Sequence, residues 1–339
     1  MKQYLDAVRE ILAKGTRKEN RTGVDTISTF NINYEIDMAE GFPLLTTKEI
    51  SWKNIVIENL WFLSGKTDIG LLQKHGCKFW DAWADDKGKV PSAYGNFWRQ
   101  FPAHGQKVGT IDSGTKDLVV GELNDQIKWV IDELKRNPMS RRMVVSAWAP
   151  ANAQTSKLPP CHALFVLNVQ NSRPPTFNEA HAAVYDKVTG AESHELVVAA
   201  VNEHLDKHAA DQTLNLHLTQ RSCDIALGVP YNIAGYAFLL ELFSRFSGIP
   251  AGIFAHTLVD AHAYTSKPDG SMAEYDHVPG LKQQLQRIPK KLPKLRIDDS
   301  IKSLDDITNL LDADTDTIMS KFVLEGYTPY EKLNFKVAV

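Results

Sequence analysis

The chain has 339 residues, 43% hydrophobic and 23% charged, a composition that suits a packed globular protein and excludes wholesale disorder. Its 38 basic and 41 acidic side chains give a formal charge of −3, which argues against the broad basic footprint of a dedicated nucleic-acid binder but leaves room for a small cationic pocket. Three cysteines without C-x-x-C spacing, no long apolar run and a charged N-terminal segment point to a reducing, cytoplasmic setting without a disulfide scaffold, signal peptide or membrane span.

In chain order, Tyr4, Leu5, Val8, Ile11 and Leu12 fall on one face of a helix that Gly15 is placed to end. Phe30, Ile32, Tyr34, Ile36 and Met38 alternate with polar residues, the pattern of a half-buried strand. The stretch from Trp52 to Leu63 is apolar almost all round, so it predicts a core helix. Further strands are expected over 143–148, 164–169, 214–218 and 253–258, with an apolar helix over 233–246 stopped by Gly248 and Pro250. Strands and helices do not alternate regularly, which favours α+β over a doubly wound α/β fold. One domain of 1–339 is expected, elaborated by insertions at about 104–122, 171–213 and 299–320. The first is rich in Gly, Ser, Thr and Lys. The second carries a helical pattern through Leu196, Val197, Ala200, Val201 and Leu205, and the third is acidic.

Two motifs imitate function and are set aside. Gly65-Lys66-Thr67 resembles the end of a phosphate-binding loop, but the required upstream glycine is Leu60, inside the apolar helix. His204 and His208 have the spacing of metal ligands, yet no third ligand supports them, and no metal is expected.

Leu158-Pro159-Pro160-Cys161-His162-Ala163 is the sharpest local feature, because two prolines restrict the backbone just before a cysteine and an apolar strand follows. A lone cysteine more often packs as a small hydrophobe. A nucleophilic role needs nearby positive charge, for which Arg141, Arg142 and Arg221 are candidates. Arg221 and Ser222 together also suit a phosphate dianion. Glu58, in Ile57-Glu58-Asn59-Leu60-Trp61-Phe62, must find a partner or stay protonated; it reads equally as a proton carrier and as a structural carboxylate.

Taken in order, several segments resemble the folate-dependent thymidylate synthases. They are Met1–Leu5, Asn20-Arg21-Thr22-Gly23, Gly41–Lys48, Phe79-Trp80-Asp81-Ala82-Trp83-Ala84, Tyr94-Gly95, Ser140-Arg141-Arg142 and Pro159-Pro160-Cys161-His162. Gln220-Arg221-Ser222-Cys223-Asp224, Gly228-Val229-Pro230-Tyr231-Asn232-Ile233-Ala234, Asp260-Ala261-His262-Ala263-Tyr264 and Leu292–Leu295 complete the match, which spans both ends of the chain.

The resemblance implies a single-domain α+β fold with a large mixed, largely buried sheet flanked by helices and packed at a homodimer interface. It also implies reductive methylation of dUMP to dTMP with 5,10-methylenetetrahydrofolate as methylene and hydride donor. By matching position, Cys161 would add to C6 of the pyrimidine. Arg21, Gln220, Arg221 and Ser222 belong to the expected substrate set, the arginines and Ser222 on the 5′-phosphate. Arg141 and Arg142 would reach that phosphate from the other subunit. Asn232 would read uracil, since an amide offers both a donor and an acceptor, and related deoxycytidylate hydroxymethylases carry Asp there. His262 and Tyr264 would contact the ribose, while Glu58, Tyr94 and His162 would organise water and move protons. Asp224 would meet the pterin, with Lys48, Trp80, Trp83, Gly228, Tyr231 and Ala338 forming the rest of the folate surface. Departures are Glu49, which would repel a polyglutamate tail, and Thr328-Pro329-Tyr330-Glu331 ahead of the C-terminal segment. The nearest rival is a deoxyuridylate hydroxymethylase, in which water replaces hydride as final acceptor. A fold-retaining RNA-binding or scaffold protein is disfavoured by the charge and by the full set of Cys161, Glu58, Asn232 and the arginines.

Overall fold

The computed structural model describes residues 1–102, 123–150, 156–171, 180–182, 184, 194–208 and 212–338. Most of the expected insertions at 104–122 and 171–213 lies outside these residues.

The N-terminal helix α1 (Lys2–Lys14) buries Tyr4, Leu5, Ala7, Val8 and Ile11, and the Gly15 N–H closes it onto the Ile11 carbonyl. Strand β1 (Thr16–Lys18) turns through 20–23 into the long β2 (Asp25–Asp37). Ile32 and Ile36 are buried as alternation requires, but Phe30 is 80% exposed. The pattern breaks at Asn31, whose left-handed backbone (φ 62°) interrupts the pleat between them. Met38 begins a short 3-10 turn, not the last position of the strand.

Helix α2 (Trp52–Ser64) is the core helix expected. Ser51 caps its first turn by accepting from the Asn54 N–H, and Gly65 ends it in the left-handed region at φ 71°. The short helix α3 (Tyr94–Arg99) crosses α2 at Gly95, where an added Cβ would lie 2.2 Å from the Phe62 carbonyl oxygen. Glycine is therefore what allows the two helices to approach.

Helix α4 (Gln126–Arg136) precedes β3 (Val144–Ser146) and β4 (His162–Asn171). Helix α5 (His194–His208) carries the apolar pattern read in the second insertion, and Val201 packs there with Ala180 and Val184 in a small cluster of its own. Then come β5 (Gln212–Gln220), β6 (Cys223–Asp224), the buried helix α6 (Gly228–Ser247) and the long β7 (Ala251–Thr265).

These strands form a mixed seven-stranded sheet in the order β1-β2-β7-β5-β4-β3, with β6 beside β7. The β5–β7 and β6–β7 pairs are parallel and the others antiparallel. Helix α6 covers one face, and Leu214, Leu216, Leu218, Phe254 and Leu258 fill the space beneath it. The fold is thus α+β, with a mixed sheet flanked by helices.

The acidic segment 299–320 builds two short helices whose aspartates cap their N-termini: Ser303 with Asp306, and Asp314 on the Thr317 N–H. Ile301, Ile307, Leu311 and Ile318 join the principal core. Among the described residues no helix is long and apolar enough to cross a membrane.

Candidate active site

The chain ends of β4, β5, β6 and β7 converge with the 20–23 turn on a cleft of about 440 Å³. Cys161 stands at the start of β4, where the register of β4 on β5 shifts between His162 and Leu164 and turns the backbone toward the cleft. Its N–H donates to the Tyr94 hydroxyl at 3.1 Å, and the Tyr94 ring stacks on His162 with centroids 4.4 Å apart and planes within 3°. The nucleophile candidate is therefore fixed from the backbone and from the next side chain.

Arg221, one residue past β5, reaches back beneath it. Its guanidinium donates to the carbonyls of Pro160 (2.9 Å) and Pro159 (2.7 Å) and places Nη2 3.9 Å from Cys161 Sγ. The backbone of Arg221 also donates to the Cys161 carbonyl at 2.8 Å. Burial pushes the Cys161 thiol up, while Arg221 and then Arg21 pull it down; burial dominates. The expected effect of Arg221 is present, but it does not by itself leave the resting sulfur ionised.

Arg21, Ser222, His262 and Tyr264 line the same cleft, as do Gln220, Asp224, Gly228, Asn232 and Ala338. Asn232, in the second turn of α6, accepts from Gln220 Nε2 at 3.0 Å. Asp224 Oδ1 accepts the N–H groups of Ala226 (2.9 Å) and Leu227 (3.1 Å), which holds its carboxylate at the cleft wall.

A contiguous cavity of about 160 Å³ is lined by Glu58, Phe79, Trp80 and Trp83 and shares Tyr94, His162 and Asn232 with the cleft. Trp80 Nε1 donates to Glu58 Oε1 at 2.7 Å. Burial nonetheless raises the Glu58 carboxyl to about 7, so it exchanges a proton near neutrality. Burial drives His162 the other way, to about 3, and keeps its imidazole neutral. Tyr231 does not reach either cavity wall but packs edge-on against Phe79, with centroids 4.9 Å apart.

Lys48 stands apart. It is 3% exposed, donates to the Ala226 carbonyl and lies 4.7 Å from the Phe335 ring centroid, behind the cleft wall rather than on it. Burial lowers its ammonium to about 8. Arg141 and Arg142 are exposed and do not line this chain's own cleft. The C-terminal segment is anchored by the Lys336 carbonyl on His277 Nε2 at 2.9 Å, which brings Ala338 to the cleft. Upstream, Arg287 grips the Glu331 carboxylate and carbonyl, and its guanidinium lies over the Tyr330 ring. Glu49 sits 3.6 Å from Lys332 Nζ.

The cleft and the adjoining cavity thus bring together a cysteine sulfur near a cation, an oriented amide, a carboxyl raised by burial and flat aromatic walls. A family model described as thymidylate synthase matches residues 2–339. The chain belongs to the thymidylate synthase family. The thymidylate synthase of Haloferax volcanii is 35% identical over 379 aligned positions, covering 98% of this chain and 95% of that protein. Membership of the thymidylate synthase family makes this chain a methyltransferase.

Several wall residues had no role expected from the sequence. Lys18, Asn20, Thr22, Thr26, Leu158, Pro159 and Asp260 line the cleft too. Asp260 carried a readable sign, a carboxylate two positions before His262 on a strand; Lys18 meets it at 2.8 Å and the Ser28 hydroxyl donates to it. Among the described residues no group of three His, Cys, Asp or Glu side chains could hold a metal ion; the side chains of His204 and His208 lie outside them.

Proposed function

We propose that this chain converts dUMP and 5,10-methylenetetrahydrofolate into dTMP and dihydrofolate. The observation that carries the reading is the joint exposure of Cys161 Sγ, Arg221, Asn232 and Tyr264 to one cleft, with the Glu58 cavity opening beside the sulfur. Cys161 adds to C6 of the pyrimidine, and the electron pair displaced to C5 makes that carbon the nucleophile. Arg21, Arg221 and Ser222 hold the 5′-phosphate; His262 and Tyr264 meet the ribose. Asn232 pairs with N3–H and O4 of uracil, with Gln220 behind it.

The aromatic cavity of Phe79, Trp80 and Trp83 fits a flat heterocycle, and Asp224 offers a carboxylate to its N–H groups. When bound there, the folate supplies the one-carbon unit and, as hydride, the two electrons that complete the methyl group. Gly228 gives it clearance, Tyr231 backs Phe79, and Ala338 closes the cleft against water. Lys48 supports this wall from behind. Glu58 passes a proton to and from the pyrimidine, helped by the Tyr94–His162 stack. Loss of the C5 proton and departure of the sulfur from C6 then regenerate the thiol.

The working unit is a homodimer. Arg141 and Arg142 are exposed and away from their own cleft, which supports their donation to the partner's phosphate site. Three free cysteines suit the reducing cytoplasm.

The test is product identification after incubating the protein with dUMP and methylenetetrahydrofolate. The expected products are dTMP and dihydrofolate. Hydroxymethyl-dUMP with tetrahydrofolate would replace this reading by the hydroxymethylase one.

A further inference from the structure

Behind the cleft a chain of polar groups runs through the apolar core beneath α6. Tyr34 and His256 face each other across β2 and β7, and Tyr34 Oη lies 2.8 Å from His256 Nδ1. His256 Nε2 lies 3.1 Å from Gln220 Oε1, and Gln220 Nε2 lies 3.0 Å from Asn232 Oδ1. The direction of every one of these bonds is determined. Gln220 Nε2 is also 3.1 Å from the Ser222 carbonyl, which only accepts, so the nitrogen of that amide must face it. Gln220 Oε1 is then the atom turned to His256, and His256 Nε2 must carry the proton. His256 is 1% exposed, and burial keeps its imidazole neutral, so Nδ1 is bare and the Tyr34 hydroxyl donates to it.

The consequence falls on Asn232. Its Oδ1 already accepts from Gln220, and a flipped Asn232 would set two NH₂ groups against each other. The amide is held with Oδ1 toward Gln220 and within reach of the neutral His162 ring, which leaves its NH₂ group and a share of Oδ1 for the substrate. That pattern matches the donor N3–H and the acceptor O4 of uracil. Cytosine, with a bare N3 and an NH₂ at C4, needs the reverse.

We propose that Tyr34 and His256, outside the cleft, are positioning residues whose directed hydrogen-bond chain through Gln220 locks the Asn232 amide in its uracil-reading orientation. This rests on Asn232 facing the pyrimidine, as in the reading above. An unlocked amide can turn to suit either base, so discrimination suffers more than binding.

The test uses full-length protein first shown to make dTMP, with dUMP and dCMP affinities measured by calorimetry. His256→Phe leaves Gln220 Oε1 unpaired and Tyr34→Phe frees the imidazole tautomer. Each is expected to lower the dUMP-to-dCMP affinity ratio, by roughly tenfold for His256→Phe and less for Tyr34→Phe, the scale of one hydrogen-bond pattern. His256→Gln, which keeps a donor toward Gln220, recovers most of the ratio. A purely structural role would weaken both nucleotides equally, and an unchanged ratio in folded His256→Phe or Tyr34→Phe overturns the lock. Nitrogen NMR of the wild type supplies a readout that needs no variant: a protonated Nε2 and bare Nδ1 at His256 are expected, and a protonated Nδ1 overturns the proposal. Failure of the wild type to form dTMP would overturn the underlying reading, whereas dTMP formation with an unmoved ratio removes the lock alone.

Discussion

The two ends of the cleft are built differently. At the proposed pyrimidine end the groups are held by neighbours: Tyr94 holds the Cys161 N–H, His162 stacks on Tyr94, and Gln220 holds Asn232. At the proposed phosphate end Arg21 is exposed beside the Trp83 ring, Arg141 and Arg142 lie elsewhere on the surface, and Arg221 is tied down by two carbonyls. Reading a base demands fixed donors and acceptors, because a rotated amide reads the wrong one. Gripping a dianion demands charge, which tolerates mobile side chains and a second subunit. Preorganisation is concentrated where the chemical choice is made.

The largest effect should come from the pyrimidine end. Cys161→Ser is expected to cut turnover by roughly 10⁴-fold or more while dUMP still binds, read by product assay and calorimetry side by side. Full activity in that variant would remove the covalent step.

Glu58→Gln should follow, with a loss of about 10²- to 10⁴-fold in turnover and disappearance of an ionisation near 7 from the pH–rate profile. Its stability carries a sign as well. Because the folded carboxyl is raised from 4.5 to about 7, its contribution is present below 4.5 and is lost as pH rises through about 7. The melting temperature of the variant should therefore gain on the wild type across that window, and a constant gap would contradict the buried, neutral Glu58.

The phosphate end breaks differently. Arg141→Ala with Arg142→Ala should raise the dUMP KM by roughly 10- to 100-fold, as lost charge-assisted contacts do. Mixing this variant with Cys161→Ser should restore on the order of a quarter of the wild-type sites, because mixed dimers rebuild one complete site. If mixing restores nothing, the arginines do not cross the interface.

The smallest effect tests the scaffold. Gly95→Ala should cost about 1–3 kcal/mol of stability, as its Cβ would press on the Phe62 carbonyl 2.2 Å away. It should lower the melting temperature more than the affinity for dUMP, since Gly95 touches the cleft only through Tyr94.

What the sequence disclosed and what it hid share one cause. Helices α2 and α6 were legible because they are apolar all round and end in glycines, Gly65 and Gly248, both in the left-handed region. Strand β7 was read only over 253–258, yet it extends to Thr265, because Asp260, His262 and Tyr264 serve the cleft and break the apolar alternation. The exposure of Phe30 was hidden because nothing in a periodic pattern announces the left-handed Asn31. The cleft residues came from ordered motifs, and most of those named do line it. Lys48 was placed on the folate surface but lies behind the wall, since proximity in a motif does not say which way a side chain points. The pairing of Tyr34 with His256 was hidden because each looks like an ordinary position on a half-buried strand, and only the register sets them opposite each other.

One contact carries a further consequence. Arg221 is fastened to the carbonyls of Pro159 and Pro160, the two residues that immediately precede Cys161. The spacing between the Arg221 guanidinium and the sulfur is consequently set by covalent backbone and two short bonds, not by a loop that could stretch. With the proposed substrate the cleft would act as a ruler one nucleoside monophosphate long. On the proposed function a nucleoside would fall short of that mark and a diphosphate would overshoot it, which makes molecular length a criterion of selection beside the base.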